Sequence, residues 1–166
     1  MNNNLTDKDI EKIKQELSER KKRKPELIEE VKRTRAFGDL SENYEYKAAK
    51  QENNRNNSRI RYLEKMIATA NIISDASAPD EVGLFDKVEL YIEEDDETET
   101  VSVVSTVRVD PLNGLVSRES PLGRALLGKK VGDRISVTME NGFGYEAEIR
   151  SITKGDDDGS APLLQY

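Results

Sequence analysis

The stretch Arg35-Ala36-Phe37-Gly38-Asp39-Leu40-Ser41-Glu42-Asn43-Tyr44-Glu45-Tyr46-Lys47-Ala48-Ala49-Lys50 decides the fold, because a glycine there ends one helical pattern just before another begins. Upstream, Thr6 with Asp9 three residues later makes a capping-box-like start, and the spacing predicts one long helix from Thr6 to about Phe37. Its apolar stripe runs through Ile10, Ile13 and Leu17, stops at the cationic run Arg20 to Lys24, and resumes at Leu27, Ile28 and Val31. Pro25 predicts a kink or local interruption. Downstream, a second helix is predicted from about Leu40 to Ala70, with Tyr46, Ala49, Asn53, Asn56, Ile60, Leu63, Ile67 and Ala70 on one a/d heptad track. Folding back at Gly38 brings Asn53 and Asn56 level with Arg20 and Lys24, so polar middle meets polar middle and apolar ends meet apolar ends. The expectation is an antiparallel coiled-coil hairpin over residues 1–75 with its tip at 38–43. The 28 residues from Ile10 to Gly38 make it roughly 40 Å long at about 1.5 Å per residue, with the tip far from the rest of the chain.

Ser74-Asp75-Ala76-Ser77-Ala78-Pro79-Asp80 is small, polar and proline-containing, and residues 76–80 are read as a linker. Beyond it the period changes to two. Val88 to Ile92, Val101 to Val107, Ile135 to Thr138 and Tyr145 to Ile152 are predicted strands, and Glu140-Asn141-Gly142 is a hairpin turn signal. Ser120-Pro121 opens a short helix through Leu127, which Gly128 ends. Residues 81–154 therefore read as a small α+β domain on an antiparallel sheet. The acidic run Glu93 to Glu99 reads as a solvated hairpin loop, and the tail 155–166 as flexible.

Composition agrees with a two-part protein. In 166 residues, 35% are apolar and 36% charged, too little apolar material for one large core and enough charge for an extended solvated helical pair. The absence of Cys excludes disulfides and thiolate metal sites, and the absence of His removes the commonest metal ligand and general base. The N-terminus lacks a basic segment followed by an apolar run, and no stretch approaches the roughly 20 apolar residues of a membrane span. A cytoplasmic protein without membrane association is the expectation. Net charge is −7, but residues 1–75 carry 17 Lys and Arg against 14 Asp and Glu, while residues 76–166 carry 9 against 19. Any contact with nucleic acid belongs to the first half.

Within the bend, Asp39 and Glu42 stand at i and i+3 and are expected on the first turn of the second helix. An Asp cap with a Glu three residues on is also a capping-box pattern that suits the helix dipole. Two carboxylates cannot hold Mg²⁺ by themselves, since the ion takes six oxygens, but they can complete a site whose other ligands belong to a partner. Capping and metal donation remain compatible readings.

Gly38-Asp39-Leu40-Ser41-Glu42-Asn43, followed by Glu45-Tyr46 and Ala48-Ala49, resembles the coiled-coil tip of the GreA/GreB transcript-cleavage factors, with a GreA-like spelling. Asp110-Pro111-Leu112-Asn113-Gly114 and Ser120 to Asp133 resemble the family's C-terminal domain, so the likeness runs from about Leu5 to Lys154. The resemblance implies a monomeric accessory factor with no catalytic activity and no cofactor of its own. Such a factor binds RNA polymerase, inserts its hairpin through the secondary channel, and stimulates Mg²⁺-dependent cleavage of the backtracked RNA 3′ end. It also implies that Asp39 and Glu42 help hold the second Mg²⁺ of the polymerase, with Gly38, Ser41 and Asn43 supporting the tip. Arg35 and Lys50 match positions that contact RNA, or are ordinary helix-surface charge; Arg20 to Lys24 is read as a solvated face. Glu119, Ser120 and Pro121 match the loop that docks on the polymerase, or simply start a helix. Tyr44 and Phe37 depart from the pattern by adding bulk, packing against polymerase or RNA, or stapling the bend. The implied C-terminal fold resembles the FK506-binding-protein type. A prolyl isomerase would need an aromatic-lined pocket, for which this half offers only Phe85, Tyr91, Phe143, Tyr145 and Tyr166. Alternatives are a channel-binding inhibitor, which would carry an altered acidic tip, and a coiled-coil chaperone or scaffold, which would carry an apolar one.

Overall fold

The structure is a computed structural model that describes residues 3–39 and 42–165. The chain divides into two compact units, one built on residues 10–70 and one combining residues 3–9 with 71–166.

In the first unit, α1 (Asp7–Arg35) and α2 (Tyr44–Ala68) run antiparallel, as Arg20 meets Asn56 and Arg23 meets Glu52. Ile13, Leu27, Ile60, Leu63 and Met66 are buried along the seam. The middle of the seam is polar and held by hydrogen bonds across the two helices. Asn56, 2% exposed, donates Nδ2 to the Arg20 carbonyl at 3.1 Å and accepts from Arg20 Nη1 at 3.5 Å. The Glu16 carboxylate accepts Arg59 Nε and Nη2, both at 2.9 Å, and Arg20 Nε at 2.6 Å. α1 continues through Pro25 without a break. The proline removes one donor, that to the carbonyl of Lys21, and both residues are exposed, so the loss falls on the solvent side of the helix and not on the seam.

The second unit is a five-stranded sheet in the order β5-β4-β3-β7-β6, formed by β3 (Lys87–Ile92), β4 (Glu97–Val104), β5 (Leu115–Ser117), β6 (Arg134–Thr138) and β7 (Gly144–Thr153). Three pairings are antiparallel, as expected, whereas β4 and β5 pair in parallel, so the sheet is mixed. Three of the seven residues of the acidic run expected to be loop are strand: β4 begins at Glu97, and only residues 93–96 turn, with Asp96 at φ 53°. Two further strands, β1 (Asn3–Leu5) and β2 (Ala70–Ile72), are too short for periodicity to reveal. The core gathers Val88, Leu90, Val101, Val103, Ile135, Val137 and Ile149 from the sheet. The short helix α3 (Pro121–Leu126) covers them with Leu126, fully buried. Gly114 has φ 70°, and a Cβ there would lie 2.8 Å from the Thr100 carbonyl, so this turn admits only glycine.

Three boundary expectations change. Residues 3–9 and 71–75 were read as part of the hairpin but pack with the sheet unit. Within residues 76–80, read as linker, and at Glu81 just beyond, the chain meets one ammonium: Lys154 Nζ donates to Ser77 Oγ (2.7 Å), the Ala78 carbonyl (3.1 Å) and the Glu81 carbonyl (2.9 Å). The tail, expected to be flexible, is folded through residue 165 because a buried guanidinium needs it. Arg108 is fully buried and is held by Asp9 Oδ1 at 2.8 Å, Asp157 Oδ2 at 2.8 Å and the Ala161 carbonyl at 2.7 Å. Lys8 Nζ donates to the Asp157 carbonyl, and Leu164 N donates to the Val107 carbonyl at 2.7 Å. Asp9 also accepts from Thr6 N at 2.9 Å while its own N–H donates to Thr6 Oγ1 at 3.2 Å, completing the expected capping box.

Two consequences can be measured. Burial pushes the Glu16 carboxyl up, but the hydrogen bonds and charges of Arg59 and Arg20 outweigh it and hold it below its ordinary value of 4.5. Its stabilisation is therefore complete above that pH and fades as pH falls through the lowered folded value. Glu16→Gln should destabilise the hairpin by on the order of 2 kcal/mol at pH 7. In urea titrations, its difference from wild type should shrink steadily as the pH falls below 4.5. Separately, Asp157→Ala should cost the sheet unit about 3 kcal/mol, seen as faster hydrogen exchange of the β3 and β7 amides, because Arg108 stays buried with half its countercharge.

Candidate functional site at the hairpin tip

The last turn of α1 closes with Ala36 N donating to the Arg33 carbonyl (3.3 Å) and Phe37 N to the Thr34 carbonyl (3.2 Å). Thr34, 1% exposed, turns its hydroxyl back to the Glu30 carbonyl at 2.8 Å. Gly38 then takes φ 118°, with nothing within 4 Å of a Cβ; the backbone conformation, and not crowding, requires glycine here. On the other side Asn43 is the N-cap of α2. Its Oδ1 accepts from Tyr46 N at 3.0 Å, and its Nδ2 donates to the Thr34 carbonyl at 2.7 Å. One side chain thus starts α2 and ties it to the end of α1.

This corrects the reading of Asp39 and Glu42 as the first turn of a helix. Both lie in the loop before the cap, both are exposed, and α2 begins only at Tyr44. The cap of α2 is Asn43, which supplies the acceptor expected of Asp39. Leu40 and Ser41 fall outside the described residues, and with them the support expected of Ser41. Asn43 was named for tip support, but its cap and its bond across the turn were not foreseen. The cue was present, since Asn three residues before Tyr46 is an N-cap signature; Asp39 competed for the same assignment.

Arg35 and Lys50 are exposed on the two helices that enter the tip, and Lys50 Nζ lies 5.9 Å from the Tyr46 ring. In the sheet unit, Ser120 Oγ accepts from Gly123 N at 3.0 Å and donates to the Ser117 carbonyl at 2.6 Å, and Pro121 is the first helical residue of α3. Glu119 Oε1 accepts from Asn4 Nδ2 at 3.0 Å and lies 3.4 Å from Arg118 Nε. No sequence signal joined Asn4 to Glu119 across 115 positions. Among the described residues, no three His, Cys, Asp or Glu side chains are grouped to hold a metal ion. The tip offers two carboxylates.

An antiparallel helical hairpin with a capped, acid-bearing turn, on one chain with a small mixed-sheet unit, defines a two-part α+β protein. Residues 3–72 match the family described as transcription elongation factor, N-terminal, and residues 69–154 match transcription elongation factor, GreA/GreB, C-terminal. The transcription elongation factor GreA of Leuconostoc mesenteroides is 43% identical over 132 residues, covering 79% of this chain and 82% of that protein. GreA of Streptococcus pneumoniae is 42% identical over 153 residues, covering 90% and 94%. The crystal structure of GreA factor homolog 1 of Thermus thermophilus shares 30% identity over 93% of this chain and 100% of that one, with a TM-score of 0.44. The chain belongs to the GreA/GreB family of transcription elongation factors.

Asn43→Ala should loosen the turn without unfolding the hairpin. The loss of a cap costs about 1 kcal/mol, so the amide of Tyr46 should exchange roughly fivefold faster while the amides near Leu63 keep their protection.

Proposed function

We propose that this chain binds RNA polymerase, passes its hairpin through the secondary channel, and stimulates cleavage of the backtracked RNA 3′ end, rescuing arrested complexes. One observation carries this reading: Asp39 and Glu42 are both exposed in the loop ahead of the Asn43 cap, at the end of a helical hairpin, where a partner can reach their carboxylates.

In this proposal the chain acts as a monomeric cytoplasmic accessory factor with no cofactor of its own. Asp39 and Glu42 donate carboxylate oxygens to a Mg²⁺ whose remaining ligands are polymerase groups and water, which suits a pair too small to hold the ion alone. Bound there, the ion helps activate water and stabilise the leaving oxygen of the phosphodiester. The exposed cations Arg35 and Lys50 contact RNA phosphates, a role that charge alone can serve. Glu119, Ser120 and Pro121 dock on the polymerase. Ser120 and Pro121 would do so as the rigid start of α3, and Glu119 as the group whose bond to Asn4 orients it.

The test is RNA cleavage in stalled, backtracked polymerase complexes with Mg²⁺, comparing wild type with Asp39→Asn and Glu42→Gln. Each variant should retain its fold and its affinity for polymerase and lose about 100-fold in stimulated cleavage, the scale on which one electrostatic stabiliser acts. Cleavage at the wild-type rate by both variants would remove the carboxylates from the mechanism. Slowed transcription without cleavage by the wild-type chain would instead identify an inhibitor.

A further inference from the structure

Two aromatic rings beside the tip are left in solvent. Phe37 is 57% exposed and Tyr44 80%. Side chains stapling the bend would be buried, so that role is excluded. Each ring instead has a cation over it: Arg33 Cζ lies 5.4 Å from the Phe37 centroid and Lys47 Nζ 5.6 Å from that of Tyr44. Both rings also spring from one anchor point. The Thr34 carbonyl accepts from Phe37 N at 3.2 Å and from Asn43 Nδ2 at 2.7 Å, and Tyr44 follows Asn43 directly. The two rings therefore flank the loop that carries Asp39 and Glu42.

Exposed aromatic faces beside cations, on a surface where Arg35, Lys47 and Lys50 are all exposed, are what binds unpaired nucleic acid: bases stack on rings while cations meet phosphates. A protein-docking patch of this size would gather apolar neighbours around its aromatics, whereas the chain neighbours of these rings, Ala36, Gly38, Asn43 and Glu45, are small or polar, and the groups over the ring faces are cations. We propose that Phe37 and Tyr44 form a stacking platform for the unpaired bases of the extruded RNA 3′ end, holding the strand while Asp39 and Glu42 face its phosphodiester. This rests on the reading of the chain as a factor that reaches backtracked RNA, and it adds base contacts to a site otherwise made of charge. Stacking tolerates any base but favours purines, whose larger rings overlap more.

The test uses backtracked polymerase complexes whose RNA ends in 2-aminopurine, a base whose fluorescence is quenched by stacking. The full-length chain carries Asp39→Asn and Glu42→Gln so that the RNA stays intact. Adding it should quench the base severalfold. The same chain with Phe37→Leu and Tyr44→Leu, which keep apolar bulk but lose the ring faces, should bind polymerase equally and leave the fluorescence unchanged. In the chain with both acids restored, the leucine pair should raise the factor concentration for half-maximal cleavage about tenfold, more for purine than for pyrimidine ends. Quenching that survives the leucine pair, or a loss of polymerase affinity with no ring-dependent quenching, overturns the platform, the latter outcome assigning the rings to protein contact. Normal cleavage without ring-dependent quenching removes the platform and leaves the cleavage function standing. Ring-dependent quenching by a wild-type chain that stimulates no cleavage does the reverse.

Discussion

A pair of helices joined along a narrow apolar seam can slide by a turn at small energetic cost unless something specific opposes it, and every feature of the tip depends on that sliding being prevented. The polar layer at mid-hairpin does so. Asn56 exchanges two hydrogen bonds with Arg20, and Glu16 is gripped by Arg59 and Arg20 together. Shifting either helix by one turn would leave a buried amide and a largely buried guanidinium without partners, a cost of several kcal/mol that apolar contacts at the ends cannot offset. With register set in the middle, the end of α1 and the start of α2 arrive at the same level, and the Thr34 carbonyl meets Asn43.

The sheet unit solves a different problem with the same chemistry. Its apolar core is small, and Arg108 is placed at its edge with no exposure to water. Asp9 from the first turn of α1 and Asp157 from the C-terminal segment neutralise it, while Asp9 also closes the capping box with Thr6. One buried cation thereby ties both ends of the chain to the sheet unit. The run of Asp and Gly is held because releasing Asp157 would leave Arg108 buried with an uncompensated charge, and Leu163 further along the segment is itself buried.

At the tip, roles are divided among neighbouring residues. Gly38 permits the backbone reversal, Asn43 satisfies the helix end, and Thr34 accepts the bond that holds the turn shut. The acids and the two aromatic rings stand exposed beside these bonds.

Periodicity and breakers determined much of this protein without any structure. The heptad track from Tyr46 to Ala70 and the stripe from Ile10 to Val31 made two helices, Gly38 made the reversal, and alternation after residue 81 made the sheet. These are local signals, carried by spacing along the chain, and the tip spelling around Asp39 and Glu42 was equally local. The tertiary structure alone decided what depends on meetings between distant residues: the parallel β4–β5 pair, the bond from Asn4 to Glu119, and the pull of Arg108 on Asp9 and Asp157. It also decided that Asn43, and not Asp39, caps α2. Local sequence offered both residues as caps with similar intrinsic preference, and only a second bond, to a carbonyl nine positions away on the other helix, favours one of them.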